Sequence, residues 1–106
     1  MNTETFDKII NERCRLIKSI LSSKAKEYAR GDRLHNFKRA GSFMNKTPEA
    51  VCFGFAMKHF TSIADMVDDI EQGKTPHEEL AQEKLGDAIN YLILLEAILT
   101  DRYHRP

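Results

Sequence analysis

Apolar residues recur along this chain at three- and four-residue steps, the period of one face of an α-helix. Phe6, Ile9, Ile10, Cys14, Ile17, Ile20 and Leu21 keep that step, with Lys8, Glu12, Arg15 and Lys18 between them. The pattern predicts an amphipathic helix from about Thr5 to Arg30. Gly31 is its expected stop; Asp32 is then expected to cap a shorter helix through Arg33, Leu34, Phe37 and Ala40 that ends at Gly41. Ser42 to Lys46 reads as a loop. Thr47 at an N-cap, Pro48 at the first helical position and Glu49 near the positive helix end make a start signal. That helix is expected to reach about Gln72, with Val51, Phe55, His59, Ile63, Met66 and Ile70 as its inward stripe and Gly73 as its stop. Thr75-Pro76-His77-Glu78 combines a capping box with a proline at the first position, so the last helix is expected from there to about Tyr103. Strand alternation and Asn-Gly turns are absent. The expected architecture is all-α, an antiparallel helical bundle of three long helices plus one short helix, in a single domain over 1–106.

Composition narrows the class. A chain of 106 residues, 42% hydrophobic, is expected to form one compact core, and with no net charge it is not a disordered chain. The sixteen basic and sixteen acidic residues are unevenly placed: Met1 to Lys46 holds eleven basic and five acidic residues, and Thr47 to Pro106 the reverse, about +6 against −6. Two readings follow: an anionic ligand met by the first half, or segments that pair within the fold or across a dimer. Cys14 and Cys52 make no disulfide framework and no metal-ligand spacing, and both are expected to be small buried hydrophobes. The start of the chain has no basic leader or apolar h-region, and no apolar run nears the ~18 residues of a membrane span. A cytoplasmic protein with no membrane partner is the expectation.

Polar residues on faces that should be apolar mark candidate chemistry, because a buried charge needs a partner or a ligand. Three places qualify. In the last helix the line Leu80, Glu83, Asp87, Tyr91, Leu94, Ile98 carries a carboxylate pair one turn apart, beside Asn90. Glu83 and Asp87 suit Mg²⁺ or Mn²⁺; the alternative is a solvated Glu83 and an Asp87 paired with a basic residue. His59 lies between Phe55 and Ile63 with Lys58 beside it, either as a hydrogen-bonded core residue or as part of a cationic pair for a phosphate or for Asp87. The third place is the corner from Lys24 to Phe37. Glu27, Asp32 and Asn36 offer oxygens there, Lys24, Arg33 and Lys38 offer phosphate contacts, and Tyr28 and Phe37 can stack on a base. An ordinary charged corner with Asp32 as a cap is the alternative.

The set Lys24-x-x-Glu27-Tyr28-x-x-Gly31-Asp32-Arg33-Leu34-x-Asn36-Phe37, Thr47-Pro48-Glu49, Lys58-His59 and Glu83-Lys84-x-x-Asp87-x-x-Asn90-Tyr91-Leu92 resembles a family of small uncharacterised all-α phage and prophage proteins. The resemblance spans about Lys24 to Ile98 and implies no settled activity. The set is more distantly similar to the MazG and dimeric dUTPase group of all-α nucleoside triphosphate pyrophosphohydrolases. These bind Mg²⁺ through an E-x-x-E pair on one helix and E-x-x-D on another. This chain departs at two points: Glu83 and Asp87 are spaced E-x-x-x-D, and Lys24 stands where an acid would precede Glu27. Asp32 is the candidate for the missing oxygen.

Three functions are consistent with these residues. The first is binding of a small-molecule nucleotide without turnover. Its pocket would use Lys24, Arg33, Lys58 and His59 on phosphates, Tyr28 or Tyr91 on the base or sugar, and Glu27, Asp87 and Asn90 for hydrogen bonds. The resemblance to phage proteins implies that such a protein sequesters a nucleotide signal of host defence. The second is a Mg²⁺-dependent pyrophosphohydrolase using Glu27, Asp32, Glu83 and Asp87. The third is a structural adaptor, or a helical nucleic-acid binder using Arg30, Arg33, Lys38 and Arg39, although those aligned cations are too few to favour a duplex. Under each, Leu85, Ile89, Leu92, Ile93 and Leu99 leave the last helix apolar nearly all round, so a homo-oligomer, most simply a symmetric dimer, is expected.

Overall fold

A computed structural model describes residues 1–27 and 31–105, with side chains described for 1–22 and 31–105. The expected all-α class holds: the four helices are α1 (Thr3–Glu27), α2 (His35–Met44), α3 (Pro48–Glu71) and α4 (Glu78–Tyr103), and no strand occurs among the described residues. Contacts divide the chain into two compact units, Met1–Arg33 and Leu34–Pro106.

In the first unit, Asn2 Oδ1 accepts the Thr5 N–H at 2.9 Å, and Glu4 lies in the first turn of α1. Arg33 Nη2 donates to the Leu21 carbonyl at 2.9 Å, folding the end of this unit back on its own helix. Gly31 has φ +79°, the left-handed backbone expected of a stop. Cys14, expected to be buried, is exposed, because no residue of 3–22 is buried.

In the second unit the start signal of α3 works as expected. Thr47 has extended backbone, its side chain accepts the Ala50 N–H at 3.1 Å, and Pro48 opens the helix. Gly73 at φ +84° ends the segment, its N–H bonding the Ile70 carbonyl at 3.0 Å. Two other helices depart from the sequence reading at their boundaries. Asp32 is not the cap of α2, which starts after Leu34 with no side-chain cap; nor does Gly41 end it. The helix continues through Met44, and Asn45 takes the left-handed conformation (φ 53°), while the Gly41 carbonyl accepts both the Asn45 N–H and the Lys46 N–H. Gly41 serves instead as a point of close approach: a Cβ there would stand 2.6 Å from the Lys46 carbonyl oxygen. The second departure is α4, which starts at Glu78 behind His77 rather than behind Thr75. Glu78 and Glu79 then occupy its first turn and Arg102 its last, each favourable to the helix dipole.

Glu49 pairs with Arg102, and His59 lies against Asp87, so α3 and α4 run antiparallel. Phe37 stands with its ring centroid 6.3 Å from Phe55, and the Gly41 backbone approaches Lys46 and Pro48, so α2 is antiparallel to α3. The core is Leu34, Phe37, Val51, Cys52 and Ile98, lined by Ala40, Tyr91, Leu94 and Leu95. Of the expected α3 stripe, Val51 and Met66 are buried, whereas Phe55 and Ile70 are exposed and Cys52 and Ala56 fill the inward positions. In α4, Leu80 and Glu83 are exposed; the buried positions are Gly86, Ala88, Asn90 and Ile98. The reason is that apolar residues are spread over more than one face of α3 and α4, so packing, not periodicity, selects the inner face. Phe53, Met57 and Val67 on α3 and Leu85 and Leu92 on α4 remain exposed. Among the described residues no helix is long and apolar enough to cross a membrane.

Candidate functional site

Where α3 and α4 face each other, three of the polar residues singled out in the sequence meet. His59 Nδ1 lies 3.7 Å from Asp87 Oδ2, and its ring stacks on Tyr91 with centroids 5.0 Å apart and planes 28° from parallel. That separation is beyond a direct hydrogen bond and within electrostatic reach when the imidazole is protonated. The His59 side chain is largely covered, at 18% exposure, and Asp87 is half-exposed at 45%. Sequence spacing accounts for the meeting: Asp87 and Tyr91 are one turn apart on α4, so one imidazole spans both.

Asn90 belongs to the same turn of α4. It is the one polar side chain that is nine-tenths buried among the described residues, and its Oδ1 has no hydrogen-bond partner among them. A buried amide oxygen left unpaired costs stability, roughly 1–3 kcal/mol, and such atoms concentrate where a ligand completes the set. Below it, the Tyr91 carbonyl accepts the Cys52 thiol at 3.6 Å. Burial pushes the Cys52 thiol up, so it stays protonated and inert. Lys58, next to His59, is exposed.

Tyr28 lies outside the described residues; Lys24 and Glu27 lie in α1, but their side chains are outside the description. Arg33 is committed to the Leu21 carbonyl through Nη2, while its Nη1 is buried with no partner among the described residues. Asp32 is half-buried and Asn36 exposed. Glu83 is exposed, and no group of three or more His, Cys, Asp or Glu side chains with metal-binding geometry occurs among the described residues.

A second feature was not visible in the sequence. A cavity of about 630 Å³ is lined by Lys38, Gly41, Ser42, Asn45, Lys46, Thr47, Pro48 and Arg105. Its three cations come from α2, the α2–α3 turn and the segment after α4, and nothing in the sequence suggests that Arg105 converges on the other two. Asp101 lies 3.4 Å from Lys38 Nζ and 2.8 Å from Arg105 Nη2, and the two cations hold its carboxyl below the usual carboxylate range, Arg105 most strongly. The first turn of α3 gives this cavity little, because Pro48 has no N–H and the Ala50 N–H is used by Thr47. Comparison of the chain with protein-family models, curated proteins and solved structures finds no match.

Proposed function

We propose that the protein binds a phosphorylated small molecule of nucleotide type at the α3–α4 face and holds it without turnover, working as a homo-oligomer. The observation that carries this reading is the buried Asn90 with its unpaired amide oxygen, on the same turn of α4 as Asp87 and Tyr91, the two residues that meet His59. Each group has a use in such binding. Asp87 faces the imidazole from the Nδ1 side, leaving Nε2 for a phosphate oxygen beside the Lys58 ammonium. The Tyr91 and His59 rings supply flat surface for a base, and Asn90 Oδ1 accepts from a base amine or sugar hydroxyl. The resemblance to phage proteins supports sequestration of a nucleotide signal as the biological use of that binding.

The basic cavity favours a second placement of the same chemistry. Lys38, Lys46 and Arg105 line it, Lys38 and Arg105 each paired with Asp101 outside the lining, and its volume falls in the range of small-ligand sites. Calorimetric titration with AMP, ADP, ATP and the guanine series separates the two. In the α3–α4 reading His59→Ala weakens binding about tenfold or more, the scale of one charge-assisted contact, and Lys46→Ala leaves it unchanged. The reverse pattern moves the ligand to the cavity, and pyrophosphate release with Mg²⁺ that stops in Asp87→Ala contradicts binding without turnover.

A further inference from the structure

The cavity at the α2–α3 turn is built within the unit Leu34–Pro106: each lining residue belongs to it, as does Asp101, which touches two of them. Lys38, Lys46 and Arg105 bring three positive charges to its wall. Asp101 meets two of these from outside the lining, its Oδ2 taking Lys38 Nζ at 3.4 Å and Arg105 Nε and Nη2 at 3.0 and 2.8 Å. Glu49, the other acid at this end of α3 and α4, is engaged by the Arg102 guanidinium. Three positive charges against the one of Asp101 leave a balance of +2 at the cavity.

Donors accompany that charge. Arg105 spends Nε and Nη2 on Asp101, which leaves its Nη1 donors, and Lys46 is exposed with no ion pair among the described residues. Thr47 Oγ1 accepts the Ala50 N–H, so its hydroxyl hydrogen is left to donate, whereas the Ser42 hydroxyl donates to the Lys38 carbonyl. A carboxylate would bring one charge and two oxygens to this set; a phosphoryl dianion brings two charges and three oxygens. A volume of about 630 Å³ is more than a phosphate group fills and leaves space for a small organic part. We infer that this cavity is a site for a dianionic phosphoryl group, as inorganic phosphate or the phosphomonoester of a small molecule, held by Lys38, Lys46 and Arg105 with Thr47 donating. The site is separate from the α3–α4 reading: it uses none of His59, Asp87, Asn90 or Tyr91, and it requires no base. Asp101 acts on it as a resident competitor. Exposed pairs of this kind order their side chains weakly, whereas a full negative charge beside the bound anion opposes it directly.

NMR of the amide groups of the full chain tests the site, with inorganic phosphate or glycerol 3-phosphate replacing chloride at constant ionic strength. The pH is set at about 7.5, above the second phosphate pKa near 6. The Asn45, Lys46 and Thr47 amides should shift saturably, and the tighter of the two ligands tells the ester from the free ion. Lys46→Ala should weaken binding about fivefold, the scale of one exposed charge pair, and Asp101→Asn should tighten it about threefold. Glu79→Gln, the same change of charge in the first turn of α4, should leave it unchanged, as should His59→Ala. Absence of a saturable shift at the three amides with both ligands overturns the site. So does phosphate binding that His59→Ala weakens and Lys46→Ala does not, which places the anion at the α3–α4 face and keeps that reading. Equal tightening by Glu79→Gln and Asp101→Asn reduces the effect to net charge, and weakening by Asp101→Asn contradicts the competitor; either overturns the inference as stated. Nucleotide binding that ignores His59→Ala, with phosphate still saturating the cavity, overturns only the α3–α4 reading.

Discussion

Gly41 and Gly54 both lie inside helices, α2 and α3, and their surroundings separate them. A Cβ on Gly41 would meet the Lys46 backbone oxygen at 2.6 Å, an atom that cannot swing away as a side chain would. A Cβ on Gly54, exposed on α3, meets nothing within 4 Å. Gly41→Ala is therefore expected to lower stability by about 1–3 kcal/mol, the cost of overpacking, and Gly54→Ala to raise it by about 0.5–1 kcal/mol through reduced backbone freedom in the unfolded chain. Urea midpoints of the two variants beside wild type check both signs. The role of Gly41 was illegible in the sequence because the atom that excludes a side chain sits across a turn. His59 was legible as an anomaly: a titratable ring on an apolar stripe required polar company, and Asp87 was among the named candidates. Asn90 was named as a hydrogen-bonding candidate beside the carboxylates, but its burial was not legible, since no periodicity marks it as more buried than Asp87.

At the scale of elements, Thr47-Pro48 and Thr75-Pro76 present the same start signature with different outcomes. The first opens α3, and the second lies just before α4, which begins behind His77. The length and order of the helices were readable from apolar recurrence, whereas the inner faces of α3 and α4 were not, because both are apolar on more sides than one bundle can bury. Their antiparallel packing is tied at one end by Glu49 and Arg102, whose Nη2 bonds Glu49 Oε1 at 3.0 Å. The Arg102 guanidinium holds the Glu49 carboxyl below its ordinary 4.5, against a smaller opposing push from burial. A folded-state pKa below the unfolded one means the pair's stabilisation is present above about pH 4.5 and is lost as pH falls through the lowered value. Both side chains are partly exposed, so Arg102→Met is expected to cost at most about 1 kcal/mol at neutral pH. The gap to wild type should close in acid; a gap equally wide at about pH 3 would show that the substitution acts through packing rather than charge.

For the whole molecule, the uneven charge along the chain has found several partners. Glu49 with Arg102 and Asp101 with Arg105 are acid–base pairs inside the later half, while Lys38 with Asp101 joins the two halves. The basic cavity draws on both halves as well, which is why counting charges along the sequence did not reveal it. Part of the candidate site, the meeting of His59, Asp87 and Tyr91, could be read from helical spacing; the unpaired state of Asn90 depends on what packs around it. That atom carries the central claim, and it makes binding and stability oppose each other. Removing a buried polar group that lacks a partner relieves its desolvation cost, so Asn90→Leu should melt higher than wild type in the free state. The same substitution removes the acceptor that the ligand is proposed to complete. The decisive measurement is the melting temperature of wild type and Asn90→Leu, each with and without millimolar ATP or GTP. The account predicts a ligand-induced rise in wild type only, with the variant more stable alone and unmoved by nucleotide. An equal rise in both proteins, or a variant that is less stable when free, would contradict it.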